Sequence, residues 1–141
     1  MKVVIVGCGK VGKTIAEELV KENHDIILID ENAELVEDVS NSLDIIGVVG
    51  NGASLNILKE AGIETADVLI AVTSADEINM LCCLFAKKAN KELKTIARVR
   101  NPIYSSELSY IKDELGLTMT INPEMITARE ISRLIRWPSA L

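Results

Sequence analysis

The sequence predicts an α/β fold, a doubly wound six-stranded parallel sheet with helices on both faces. Three observations carry this. Short runs of Val, Ile and Leu alternate with helix-period segments six times along the 141 residues. The runs are apolar on both sides of the strand period, as strands covered on both faces must be. A glycine-rich turn, "VGCGKVG", joins the first strand to the first helix. The length suits one domain, 1–141.

The elements follow in order. Residues 2–6 (KVVIV) read as a buried strand. Residues 10–22 read as a helix with Val11, Ile15, Leu19 and Val20 on its apolar side. "DIILID" (25–30) is a second strand and "ENAELVEDVSNSL" a second helix. "DIIGVVG" (44–50) is a third strand, followed by a short helix over 53–61 that stops near Gly62. "DVLIAVT" (67–73) is a fourth strand. Ser74 and Glu77 have capping-box spacing for a helix over about 75–90. "TIARVR" (95–100) is a fifth strand, and a helix over about 103–115 ends at Gly116. "LTMTIN" (117–122) is a sixth strand, after which Asn122 caps and Pro123 opens a last helix. The stop at "RWPSAL" predicts a fragment of a longer protein.

Bulk composition excludes several classes. The chain is 48% apolar with few aromatics, so aliphatic side chains must fill the core. A net charge of −6 argues against non-specific nucleic-acid binding, which needs a basic face. No run reaches the roughly 18 apolar residues of a membrane span, and the N-terminus runs straight into the first strand and glycine loop without a signal peptide. Three cysteines, Cys8, Cys82 and Cys83, give neither a disulfide framework nor zinc spacing. A reducing cytosol is the expected setting. Cys8 reads as a small residue filling a tight turn, with a redox role as the alternative. His24 reads as a surface polar residue in a turn. No metal site is expected.

The glycine turn has two readings. Gly7, Gly9 and Gly12 spell G-x-G-x-x-G, a dinucleotide fingerprint. Gly7, Gly12, Lys13 and Thr14 spell the G-x-x-x-x-G-K-T of a phosphate loop. Two features favour the first. Asp30 ends the second strand 18 residues past Gly12, where a Rossmann-like fold places the carboxylate that binds ribose hydroxyls. The turn is also tight. Gly7 would make the bend, Gly9 would admit the pyrophosphate and Gly12 would pack helix on strand. Asp30 opposes a 2′-phosphate by like charge, which favours NAD over NADP. It would equally accept the ribose of ATP or ADP, and that alternative stays open.

The residues also carry a specific resemblance. "VVIVGCGKVGKTIAEEL" with "IILID", then "GVVGNGASLNILKEAGIETADVLIAVTSADEINMLCCLFAKK", "TIARVRNP" and "TINPEMITAREISRLIRWP" resemble the N-terminal nucleotide-binding domain of the TrkA/Ktr (RCK, or KTN) family. Those proteins are cytosolic regulators of potassium channels and transporters. The resemblance covers essentially the whole chain. It implies a cytoplasmic, peripheral regulatory subunit that forms a homo-oligomer, meets an integral-membrane potassium transporter and binds NAD or NADH (alternatively ATP or ADP).

The nucleotide contacts it implies are Gly7, Cys8, Gly9, Lys10, Val11 and Gly12 in the loop, and Asp30 and Glu31 after strand two. Asn51, Gly52 and Ala53 follow strand three, with Asn51 standing where the family usually has Asp. Thr73, Ser74, Asp76 and Asn79 surround the start of the fourth helix, and Arg98 lies in strand five, near the phosphates. Ser74 is equally read as a cap and Asp76 as a solvated charge; for Arg98 the phosphate role is preferred to half of a strand-edge ion pair. Glu124 would either sense ligand, join subunits or complement its helix dipole.

Two helices carry an assembly signal. "NMLCCLFA" (79–86) is apolar all round. In the last helix Met125, Ala128, Ile131, Leu134 and Ile135 fill a wide arc, with Ile126 opposite among Arg129, Arg133 and Arg136. A partner subunit or the chain beyond residue 141 would cover that arc.

No catalytic residues are expected. A dehydrogenase needs a substrate site and a base, and the nucleotide fold consumes all 141 residues. The chain as the cofactor half of an NAD-dependent dehydrogenase is the alternative, and a phosphate-loop ATPase the third.

Overall fold

A computed structural model describes residues 1–122 and, beyond them, Glu130, Ile131, Arg133 and Ile135. Its elements are β1 (Lys2–Val6), α1 (Lys10–Lys21), β2 (Asp25–Asp30), α2 (Ala33–Leu43), β3 (Ile46–Val49), α3 (Leu55–Glu60), a 3₁₀ turn (Ile63–Thr65), β4 (Val68–Ala71), α4 (Asp76–Ala89), β5 (Lys94–Arg98), α5 (Pro102–Leu115) and β6 (Met119–Ile121). The strands form one sheet in the order β3-β2-β1-β4-β5-β6, every neighbouring pair parallel. The expected doubly wound topology is present.

Strand alternation divides the core in two. Val4, Val6, Ile27, Ile29, Leu69 and Ala71 face one side, where they meet Leu58 of α3, Cys82, Cys83 and Ala86 of α4 and Leu108 of α5. Val3, Ile5, Ile26, Leu28, Val68 and Ile70 face the other, against Ile15 and Leu19 of α1 and Val36 and Val39 of α2. A strand whose alternate residues each find a helix has no polar face, which explains the continuous apolar runs. The chain winds outward from β1 to β3, then returns to lay β4 on the other side of β1. The loops after β1 and β4 therefore diverge, and a crevice opens at the strands' carboxyl edge.

Several boundaries differ from expectation. β3 starts at Ile46 rather than 44, because Asp44 adopts a left-handed conformation (φ 55°) that ends α2. α3 starts at Leu55 rather than 53, because Ser54 is its N-cap. The Ser74–Glu77 capping box does not form. The N-cap of α4 is Ala75, one residue later, and it makes no side-chain cap. Glu77 instead accepts a 2.7 Å hydrogen bond from the Tyr104 hydroxyl of α5, which holds its carboxyl below the usual range. His24 is half-buried rather than a surface residue. Its ring packs at the N-terminus, with Nδ1 3.2 Å from the Met1 amine.

The expected last helix falls mostly outside the described residues, including Pro123, Glu124, Met125, Ile126, Ala128, Arg129, Leu134 and Arg136. Ile131 and Ile135 are buried in the core on the α1–α2 side, so the chain itself covers these two members of the arc. Arg133 is exposed. On α4, Leu81 is 38% exposed, while Cys82, Cys83 and Ala86 are fully buried. Among the described residues no helix is long and apolar enough to cross a membrane.

Candidate functional site

The crevice at the carboxyl edge is one continuous cleft of about 710 Å³. It runs from the ends of β2 and β3, across the glycine loop after β1, to the ends of β4 and β5. Of the expected contacts it brings together Gly7, Gly9, Lys10, Val11, Asp30, Glu31, Asn51, Gly52, Thr73, Ser74 and Arg98. Cys8, Gly12, Ala53, Asp76 and Asn79 do not line it.

The glycine loop is short. β1 ends at Val6 and α1 starts at Lys10. Gly7 has φ +116°, a region that disfavours any side chain, and a Cβ there would sit 3.0 Å from the Val72 backbone. At Gly12 a Cβ would lie 1.8 Å from the Gly7 carbonyl oxygen. Helix thus rests directly on loop, as the fingerprint's third glycine requires. Gly9 is the N-cap of α1, and a Cβ there would meet nothing within 4 Å. Its side of the loop is open, and the first N–H groups of α1 lack intrahelical partners.

The same geometry disfavours a phosphate loop. α1 has already begun at Lys10, inside the span such a loop would wrap. Lys13 and Thr14 are exposed and do not line the cleft, and the Thr14 hydroxyl donates to the Lys10 carbonyl (2.7 Å).

Asp30 organises the β2 side. Its Oδ2 accepts from the Cys8 N–H (2.8 Å) and its Oδ1 from the Asn32 N–H (2.9 Å). An ionised carboxylate has about four acceptor positions, so both oxygens keep capacity for a ribose hydroxyl. Asp30 therefore also tethers the glycine loop, a role its spacing did not announce. Cys8 is buried behind the loop. Burial, then the Asp30 charge, pushes its thiol up to about 11, so it remains protonated and packs as a small residue. After β3, Asn51 Oδ1 accepts from the Ala53 N–H (2.8 Å), and Gly52 leaves room for Val6, whose side chain a Cβ would strike.

The β4–β5 side is polar and tightly bonded. Asn79 is fully buried. Its Oδ1 accepts from the Thr73 N–H (2.8 Å) and hydroxyl (2.7 Å), and its Nδ2 donates to the carbonyls of Thr73 (3.1 Å) and Arg98 (2.9 Å). Asp76 is 7% exposed, which corrects its reading as a solvated charge. Its carboxylate accepts from the N–H groups of Arg100 (3.0 Å) and Asn101 (2.8 Å). It lines a separate open cleft of about 440 Å³ with Glu77, Arg100, Asn101 and Asn122. Arg98 is different. It is half-buried, lines the main cleft, and its buried Nε has no hydrogen-bond partner among the described residues. The ion-pair reading of Arg98 finds no partner among the described residues.

Sequence reasoning missed the apolar wall. Val6, Ile29, Leu35, Gly50, Val72, Ala75 and Ile78 also line the cleft. Most sit where periodicity assigns core. Leu35 is the exception, and its 39% exposure marks it as a cleft residue. No group of three or more His, Cys, Asp or Glu among the described residues is placed to hold a metal.

The chain as a whole is similar to known proteins. The TrkA-N domain profile matches residues 3–123. The chain is 39% identical over 142 residues to the Trk system potassium uptake protein TrkA of Halomonas elongata, and 40% identical over 141 residues to a TrkA homolog of Archaeoglobus fulgidus. Each match covers all of this chain and 31% and 32% of the relative, so the chain spans about a third of these proteins' length. The crystal structure of the TrkA-N domain of inner membrane protein ybaL from Escherichia coli superposes with a TM-score of 0.77 at 26% identity, covering 96% of this chain and 93% of that one. The GsuK channel bound to NAD shares the fold at a TM-score of 0.71 and 18% identity, over 85% of this chain and 21% of that one. With its glycine turn, its parallel sheet and a profile match over almost its full length, the chain belongs to the TrkA-N domain family.

Proposed function

We propose that this domain binds NAD or NADH and, as part of a cytoplasmic homo-oligomeric regulatory subunit, controls a membrane potassium uptake system without turning the nucleotide over. One observation carries the ligand assignment. The cleft has carboxylates at one end (Asp30, Glu31), at the other Arg98, whose buried Nε has no hydrogen-bond partner among the described residues, and the glycine loop between them. Hydroxyl donors belong at the first end and phosphates at the loop and the second. The names of the relatives supply the physiological context, and the NAD in GsuK is consistent with the ligand class.

A second reading is favoured by Arg98 itself. An extra anion at the β4–β5 end suits the phosphate chain of ADP or ATP. In either reading regulation requires that nucleotide states differ in affinity for two domain geometries, since equal affinity shifts nothing.

Calorimetric titration with NAD, NADH, ADP and ATP, with and without Mg²⁺, tests this. The expected outcome is binding without phosphate release, abolished by Asp30→Ala. Magnesium-dependent phosphate release that disappears in Lys13→Ala would overturn it.

A further inference from the structure

Asn79 occupies a position with a specific geometric meaning. In this sheet a backbone N–H bonds to the carbonyl one residue before its register partner. Val72 N–H donates to Val6 O and Lys94 N–H to Asp67 O in this way. Ala71 is opposite Ala97. The next β4–β5 rung would therefore run from the Thr73 N–H to the Arg98 carbonyl. It is not made. The Asn79 amide sits between the two groups. Its Oδ1 takes the Thr73 N–H and its Nδ2 takes the Arg98 carbonyl.

A side-chain amide has thus replaced the last rung, as an inserted peptide group would. Two further bonds to Thr73 complete its capacity, and the side chain has no exposed surface. Asn79 therefore has no group left to offer a ligand. The Asn79 amide bridges the ends of β4 and β5 at the cleft. It also holds the backbone carbonyl of Arg98, whose buried Nε has no hydrogen-bond partner among the described residues. Three residues earlier on the same helix, Asp76 holds the Arg100 and Asn101 N–H groups, so the first turns of α4 grip the chain on both sides of Val99.

We propose that Asn79 is a positioning residue for anion binding, acting through Arg98 rather than touching the ligand. The inference rests on the nucleotide reading above for the identity of the anion.

The test is titration of the chain with ADP and with adenosine. Arg98→Gln is expected to weaken ADP about tenfold to a hundredfold, the range of a charge-assisted hydrogen bond, and to leave adenosine within about twofold. Asn79→Ala is expected to reproduce that pattern, and to add less than about twofold once Arg98→Gln is present. Equal weakening of ADP and adenosine, or full additivity with Arg98→Gln, would overturn the proposal. Asn79→Ser, which keeps a small polar side chain too short to reach Arg98, replaces Asn79→Ala if the latter does not fold.

A ligand-free measurement separates failure here from failure of the nucleotide reading. The Arg98 Nε–H resonance should exchange slowly with solvent in the native chain. It should exchange at least about tenfold faster in the Asn79 variants while the core amides of β1 stay protected. Unchanged Arg98 exchange would refute the positioning role even if nucleotide binds. Accelerated exchange in a chain that binds neither ADP nor adenosine would uphold the positioning and refute the ligand.

Discussion

Gly9 and Gly12 belong to one motif but answer to different constraints. Gly12 is held by packing, since any Cβ would collide with the Gly7 carbonyl. Gly9 has φ −71°, which alanine accepts, and open space beside it. Gly12→Ala is therefore expected to cost about 3 kcal/mol of folding stability, because backbone must move. Gly9→Ala should cost about 1 kcal/mol or less, the ordinary penalty of alanine at an N-cap. Nucleotide titration should reverse the order of severity per unit of stability lost, with Gly9→Ala weakening binding about tenfold or more in a chain that folds normally. Urea denaturation and calorimetry on both variants check this.

Asp30 makes a companion case. Asp30→Asn keeps one acceptor oxygen but turns an NH₂ toward either the Cys8 or the Asn32 N–H. One of the two loop bonds is lost, at about 1–3 kcal/mol. A stability unchanged within about 0.5 kcal/mol would show that the tether is not made in solution. The glycines and Asp30 were legible because their spacing is local and fixed by a turn and one strand. Asn79 was not, because its meaning depends on the register between two strands that the sequence does not display.

At the level of elements, α4 joins a polar first turn to a core of buried thiols. Burial pushes Cys82 up to about 12. Cys83 is pushed further, by burial and then by its neighbour Cys82. With Cys8, three thiols stay protonated in the folded chain at pH values where the unfolded chain ionises near its ordinary 9. The folded state then binds more protons than the unfolded one, so stability falls as pH rises. The contribution is whole below about pH 9 and declines from there toward 11 and beyond. Urea midpoints measured between pH 8 and 11 should fall in the native chain. The slope should flatten in Cys8→Ala/Cys82→Ala/Cys83→Ala, which retains every Tyr and Lys. Equal slopes would remove the thiols from the account.

Element types were readable throughout, because β-branched runs and helix periods alternate without ambiguity. Ends were less so. The helix starts one residue later than the Ser74–Glu77 spacing places it, with Ala75 as N-cap and its N–H donating to the Thr73 hydroxyl, while Glu77 turns to Tyr104. α5 shows the same limit. Only Leu108 of its fourteen residues is buried, and Tyr110 is 82% exposed, although its apolar content resembles that of the other helices.

For the whole molecule, the cleft crosses the switch point between β1 and β4, so a ligand filling it touches both halves of the sheet at once. Ligand binding should therefore act on the global unfolding transition rather than on one loop. At a hundredfold excess over Kd, linkage supplies about 2.7 kcal/mol. For a chain of this size that raises Tm by about 8 °C, at about 3 °C per kcal/mol. Scanning calorimetry should show a single transition displaced upward by that amount with NADH. NADPH at the same concentration should displace it much less, because its 2′-phosphate meets the carboxylates of Asp30 and Glu31 at the β2 end of the cleft. Arg98→Gln should reduce the NADH shift without restoring NADPH, since Arg98 acts on the phosphates and Asp30 on the adenosine ribose. An NADPH shift equal to that of NADH would place the ribose away from Asp30. A shift confined to a minor early transition would mean that the two halves of the sheet do not share the ligand.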